Sequence, residues 1–177
     1  EHAQGALFPI AEVDLPLLLK WRNTASIREA MYNNHEILRE EHYSWFERTQ
    51  TENYNGKHYL FKKNDIPLGV VNFTDVSMEN KRLSWGFYIG NPQAPRGTGT
   101  LMGIAALDLA FLNMGMHKVC GEVLEVNKKS MKYHERLGFE REGFLREHIC
   151  RDNHYLGIVV YGLLHEHWIS RRQELLE

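Results

Sequence analysis

The chain has 177 residues, 43% of them hydrophobic, four tryptophans and a formal charge of -2. That size and apolar content suit one domain over residues 1–177 with one sizeable core, and argue against disorder. The near-neutral balance excludes a general electrostatic attraction to nucleic acid or to an anionic membrane, and no apolar run reaches the roughly 20 residues that span a bilayer.

The opening Glu1-His2-Ala3-Gln4-Gly5-Ala6 has neither Met nor a signal-peptide pattern and is set aside as a remnant. Asp14 is placed to cap a first helix with Pro16 in its first turn, and Leu17, Leu18 and Trp21 fall at helical spacing. The helical signal breaks near Asn23-Thr24 and resumes from Ala25 to Tyr32. Another helix is predicted from about Glu40 to Gln50, with Tyr43, Trp45 and Phe46 among its apolar positions. Strands follow at Lys57 to Lys63, Ile66 to Val76 and Arg82 to Ile89, with Asn64-Asp65 as a hairpin turn and Gly86 marking a bulge or a close backbone approach. A helix apolar almost all round begins near Leu101 and ends near Gly115, a residue suited to a left-handed cap. A strand at Lys118 to Val126, a short helix from Asn127 to Leu137, and strands at about Gly143 to Cys150 and Tyr155 to His165 complete the order β-α-α-β-β-β-α-β-α-β-β. The class is α+β with a mostly antiparallel sheet flanked by helices.

Cys120 and Cys150 have no Cys-x-x-Cys spacing and make a poor disulfide framework, so a reduced, cytoplasmic setting is expected. Ten histidines are scattered; His165 and His167 form the one close pair, at strand spacing and without accompanying carboxylates, so no metal is expected.

The stretch from Gly90 to Thr100 is dense in turn formers and leads straight into the apolar helix. A helix start exposes N–H groups and a partial positive charge, and Gly97 and Gly99 allow close backbone approach. Arg96 adds a guanidinium fork, so Arg96-Gly97-Thr98-Gly99-Thr100 reads as an anion site. No Gly-Lys-Ser/Thr follows, so it is not a P-loop; a turn capped by Thr98 or Thr100 is the plainer alternative.

Two blocks together resemble the GNAT acetyltransferase superfamily. Its pyrophosphate loop reads Arg/Gln-x-x-Gly-x-Gly/Ala; Arg96 and Gly99 match, and Leu101 departs from the last position. Its strand-end Asn and helix-closing Gly-Phe fall on Asn127, Gly138 and Phe139. The resemblance implies the GNAT fold, a central sheet whose middle strands splay, and acetyl-CoA as co-substrate. Pantetheine would pair with strand backbone at Tyr88, Ile89 and Gly90, and Lys129 and Lys132 would meet the ribose phosphate.

Acetyl transfer requires a neutral amine and a stabilised thiolate. The superfamily's tyrosine position is His134 here, with Tyr133 beside it, so His134 is the expected proton donor and Tyr133 the alternative. Glu122, on a strand face with Leu124 and Val126, is the expected base through a water, with Asn72 and Thr74 placed to hold that water.

The N-terminal blocks Trp21-Arg22-Asn23, Met31-Tyr32-Asn33-Asn34 and Glu41 to Phe46, with Glu142 to His148 and Tyr161 to Leu164, resemble the branch that contains the pseudaminic acid biosynthesis acetyltransferase. That branch implies a small-molecule acceptor, a UDP-4-amino-4,6-dideoxy-N-acetyl-hexosamine of the altrosamine type, feeding flagellin or surface glycans. It implies no nucleic-acid or membrane partner and leaves a homodimer open. Arg22 would neutralise the diphosphate, His42 would add a donor, and Tyr43 or Trp45 would stack on uracil. The branch's acidic residue near position 157 is glycine here. Two alternatives stand beside this reading: a ribosomal-protein-type N-terminal acetyltransferase and a silent acyl-CoA-binding module.

Overall fold

Asp14, Pro16 and the spacing of Leu15, Leu18 and Trp21 start the first helix, which the computed structural model, describing residues 4–177, places at Leu15–Arg22 (α1). Pro16 occupies the first turn, where no intrahelical N–H is needed. Asp14 closes the preceding 3-10 turn rather than capping α1: its Oδ2 accepts the Ala11 N–H at 2.9 Å. A short helix at Ala25–Glu29 (α2) and a longer one at Arg39–Thr49 (α3) follow. The strand before them, Ala6–Pro9 (β1), takes in Ala6, the last residue of the segment set aside; Glu1 to Ala3 lie outside the described residues.

The remaining elements are strands Gly56–Lys63 (β2), Ile66–Ser77 (β3) and Arg82–Ile89 (β4), helix Thr98–Asp108 (α4), strand Lys118–Leu124 (β5), helix Lys128–Leu137 (α5), strands Glu140–Arg151 (β6) and His154–Leu164 (β7), and helix His165–Leu176 (α6). The strands follow the order β1-β2-β3-β4-β5-β7-β6 in one sheet. The chain divides into two compact units: residues up to Val76 with Gly86–Ala106, and Ser77–Trp85 with Leu107–Glu177.

In the first unit β1, β2 and β3 pair antiparallel. Asn64 and Asp65 both take positive φ (50° and 61°), which makes the predicted turn the tight type whose twist matches the strands. Leu60 and Val70 are buried in one cluster with Ile10, Leu15, Leu18, Trp21 and Ile27, so α1 and α2 cover that face of the hairpin. A bulge between Phe61 and Lys62 shifts the β2–β3 register and brings His58 opposite Asn72.

In the second unit β5 and β7 are antiparallel neighbours and β7 carries β6 at the sheet edge. The β4–β5 ladder is parallel and covers only Arg82–Ser84 against Lys118–Cys120. Asp152 and Asn153 repeat the positive-φ turn of the first hairpin. The final segment departs from expectation: β7 stops at Leu164, and His165 and His167 lie on α6, not on a strand. Asp108 anchors α6 by accepting from Trp168 Nε1 (3.0 Å) and Arg172 Nε (2.7 Å). Gly115 takes the predicted left-handed conformation (φ 68°), after a widened helical turn at Leu109–Asn113 that the periodicity does not announce. Among the described residues, Cys120 and Cys150 are free thiols and no helix is long and apolar enough to cross a membrane.

Candidate active site

The anion loop belongs to the first unit. Gly97 takes φ +87°, where a side chain is strained, and its open surroundings leave nothing within 4 Å of a Cβ. Glycine is therefore demanded here by backbone conformation alone. The helical ladder of α4 begins with Leu101 N–H to the Gly97 carbonyl (3.1 Å), which puts residues 98–100 in the first turn, where a helix points its N–H groups outward. Thr98 is buried and commits both its N–H (3.2 Å) and its hydroxyl (2.7 Å) to the Pro95 carbonyl. Its side chain shapes the turn and is not available to a phosphate. Arg96 is exposed.

The strand leading into the loop is tightly supported. The Gly90 N–H donates to the Leu68 carbonyl (3.0 Å), and a Cβ on Gly90 would run into the Trp21 indole. A Cβ on Gly69 would come within 2.7 Å of the Tyr88 carbonyl. Gly86, by contrast, has nothing within 4 Å of a Cβ; no close approach explains it.

The acceptor residues expected from the sequence separate into two groups. His42 is a core histidine: 7% exposed, it donates from Nε2 to the Leu15 carbonyl (3.1 Å) and ties α3 to α1. Burial lowers its pKa, with the Leu15 bond opposing. It therefore has no N–H to offer a diphosphate. Its ring stacks on Trp45 at 5.6 Å and 14°, which covers the indole face reserved for uracil, and Tyr43 packs on the same core with Arg39 over its ring at 5.0 Å. Arg22 is different. Nη2 donates to the Asn33 carbonyl (2.9 Å), while the buried Nη1 has no hydrogen-bond partner among the described residues. Burial pulls its pKa down from the ordinary value, with Tyr88 and Glu41 opposing. Asn72 is half-buried and Thr74 exposed on β3.

In the second unit, Asn127 caps α5 by accepting the Ser130 N–H on Oδ1 (3.1 Å), and Lys129 and Lys132 lie on the exposed side of that helix. One turn on, the Ser130 carbonyl sits 2.8 Å from His134 Nδ1, and Trp85 Nε1 points at His134 Nε2 from 3.1 Å. An indole N–H only donates and a carbonyl only accepts, so the ring is the neutral Nδ1–H tautomer. Burial drives its pKa from 6.5 to about 4, with the Ser130 bond opposing, and the side chain is 2% exposed. Protonating Nε2 would set one N–H against another. The expected proton-donor role of His134 is thus replaced by a structural one, and Trp85, which no motif singled out, is the reason. Tyr133 stacks on Trp85 at 6.3 Å, and burial pushes its phenol well above the ordinary value, so it keeps its proton. Glu122 is exposed on β5, opposite Val160. Glu125 Oε1 accepts the Gly157 N–H at 2.6 Å. No group of three or more metal-ligating side chains occurs among the described residues.

A family model for the acetyltransferase (GNAT) domain matches residues 6–140. The chain belongs to the GNAT acetyltransferase family. An uncharacterised protein of Methanocaldococcus jannaschii is 30% identical over 153 residues, covering 80% of this chain and 29% of its own length. An uncharacterised N-acetyltransferase of a Bacillus subtilis prophage is 27% identical over 99 residues, 56% of each chain. The chain thus spans under a third of the first curated relative and little over half of the second. The acetyltransferase PseH of Campylobacter jejuni is 25% identical over 141 residues, 77% of this chain and 85% of that one. The spermidine N-acetyltransferase of Vibrio cholerae, solved with CoA and spermine, superposes with a TM-score of 0.83 at 20% identity, covering 94% of this chain and 98% of its own.

Proposed function

We propose that this domain transfers the acetyl group of acetyl-CoA to the 4-amino group of a UDP-4-amino-4,6-dideoxy-N-acetyl-hexosamine, by direct transfer in a ternary complex. The observation that carries the reading is Arg22: a half-buried guanidinium with one nitrogen buried and unpartnered among the described residues. Such a group suits an anionic acceptor such as a diphosphate and opposes a polycation like spermidine. The likeness to PseH at 25% identity supports the same acceptor class.

In this reading the amides at the start of α4, with Arg96, grip the pyrophosphate; Tyr88 to Gly90 pair with pantetheine; Asn127, Lys129 and Lys132 serve the nucleotide end. Glu122 takes the amine proton through a water. The amine nitrogen attacks the thioester carbon, the C–S bond breaks, and the departing thiolate is steadied by a hydrogen bond from the Tyr133 hydroxyl, which keeps its own proton, and is protonated from solvent.

The test is mass spectrometry of acetyl-CoA mixed with the protein and, separately, a UDP-4-amino sugar, an N-terminal peptide and spermidine. A single acetyl group on the amino sugar alone supports the reading. Acetylation of the peptide or of spermidine with the amino sugar untouched overturns it. Arg22→Gln is expected to raise KM for the nucleotide sugar roughly tenfold, the worth of a hydrogen bond to a charged group, and to leave KM for acetyl-CoA unchanged.

A further inference from the structure

The first unit holds a second hydrogen-bonded histidine system, half-buried, that no motif announces. His58 on β2 faces Asn72 on β3, and its Nδ1 lies 2.6 Å from Asn72 Oδ1. Its Nε2 lies 2.6 Å from the Tyr54 hydroxyl, and Trp45 packs edge-on against the ring at 4.9 Å. The amide oxygen only accepts, so Nδ1 carries the proton, and Nε2 accepts from the Tyr54 hydroxyl. Burial holds the His58 pKa below its ordinary value, with the Asn72 bond opposing, so the ring stays neutral at physiological pH. The ionisable groups that bear on it are few: Tyr54, from the α3–β2 connection, has its phenol pushed up by burial, and Arg48 of α3 acts on that phenol; Asn72 and Trp45 are uncharged.

The consequence falls on Asn72. With Oδ1 tied to His58, the amide can no longer rotate, and its Nδ2 has no hydrogen-bond partner among the described residues. Asn72 was expected, with Thr74, to hold the water through which Glu122 takes the proton of the acceptor amine. We infer that His58, braced by Tyr54, is a positioning residue that locks the Asn72 amide with its NH2 turned to the acceptor, so that the site selects an amine bearing a hydrogen-bond-accepting oxygen close by. The inference rests on the amino-sugar acceptor given under Proposed function and on the expectation from the sequence that Asn72 lies beside the reacting amine. An amino sugar offers hydroxyl and acetamido oxygens beside its amine. A polyamine offers only N–H groups, and an amide NH2 set against them is a donor–donor mismatch. The lock is therefore a specificity device as well as a brace: it separates oxygen-rich amines from polyamines at a position where a rotatable amide would serve either.

Two measurements decide it. Nitrogen-15 NMR of the imidazole, assigned by its loss in His58→Gln, is expected to show Nδ1 protonated and Nε2 bare at neutral pH; an Nε2–H tautomer or an imidazolium overturns the lock. In steady-state kinetics Asn72→Asp keeps an oxygen for the His58 N–H but removes the donors. It is expected to raise KM for the UDP-amino sugar about tenfold, with KM for acetyl-CoA unchanged and spermidine no worse a substrate. His58→Gln, whose amide N–H can still serve Asn72 Oδ1, is expected to keep KM within about threefold of wild type, while His58→Leu matches Asn72→Asp. Equal losses for all acceptors, or no rescue by glutamine, overturn the role. A wild-type enzyme inert towards every amino sugar would sink the functional reading, and the tautomer would still decide the lock.

Discussion

Two hydrogen-bonded histidines, the buried His134 and the half-buried His58, have the same tautomer and opposite capacities. Around His134 the two shortest bonds are to single-purpose partners: the Trp85 indole donates at 3.1 Å and the Ser130 carbonyl accepts at 2.8 Å, with the Ser130 hydroxyl farther off at 3.5 Å. The ring is closed off, and its work ends with holding α5 against the Trp85 strand. Around His58 both partners have capacity left over. The Tyr54 oxygen keeps lone pairs and the Asn72 amide keeps its NH2, so the constraint passes through the ring to a group that can meet a ligand. The lesson is that burial and hydrogen-bonding of a histidine do not distinguish structure from function; the unspent valences of its partners do.

The sharpest attack on this contrast is His134→Ala. Losing a 2%-exposed ring and stranding the Trp85 N–H is expected to cost about 4 kcal/mol, seen as a fall in Tm of roughly 8–16 °C. Turnover per folded molecule should stay within about threefold of wild type. A stable variant with collapsed kcat and unchanged acetyl-CoA binding would restore His134 as the proton donor. The pH dependence of stability comes next. The folded pKa of His134 is depressed to about 4 against 6.5 unfolded, so the unfolded chain binds the extra proton. Its contribution is present above pH 6.5 and is lost as pH falls towards 4, amounting to about 3 kcal/mol across that window. His58 and His42 are shifted the same way and steepen the slope. Urea unfolding from pH 7 to 4.5 should show the decline, and His134→Gln should flatten most of it; parallel curves for the two proteins would refute the closed ring.

Much of the molecule is written locally. The loop from Gly90 to Thr100 and its helix are legible because glycine and proline punctuation acts within a few residues, and the turn at Asn64-Asp65 follows from residues that tolerate positive φ. What the sequence conceals is set by distance. Trp85 reaches His134 across 49 positions, so nothing near the family's tyrosine position reveals that its replacement is sealed. The His58–Asn72 pair is hidden by a single bulge. Carrying the Lys63–Ile66 register straight back would set His58 against Val71, and the shift between Phe61 and Lys62 puts Asn72 there instead. His42 and Trp45 illustrate the other failure: residues at helical spacing with attractive chemistry were spent on the core.

Gly121→Ala probes the closed side from the outside. A Cβ there would sit 2.8 Å from His134 Nε2 and 3.1 Å from Trp85 Nε1, so the substitution wedges the hydrogen bond itself. An overpacking loss of about 2 kcal/mol is expected, with a red shift of Trp85 fluorescence as the indole is displaced. An unperturbed spectrum with full stability would mean that the bond is loose enough to open.

The smallest effect is the most discriminating. Tyr54→Phe keeps the ring that packs near His58 and removes only the hydroxyl. The loss of one hydrogen bond at a partly buried nitrogen should cost about 1 kcal/mol. Because that hydroxyl donates to Nε2, it favours the neutral ring, and its removal should let the His58 pKa rise towards the ordinary value. The low-pH stability slope then becomes shallower, the opposite of what a general loosening of the fold would give. With Nε2 unclaimed, the ring can exchange tautomers, and the Asn72 amide regains its freedom to rotate. KM for an oxygen-bearing acceptor should rise by about two- to fivefold while kcat holds. A stability loss without a KM change would make His58 a second closed ring, no different in kind from His134.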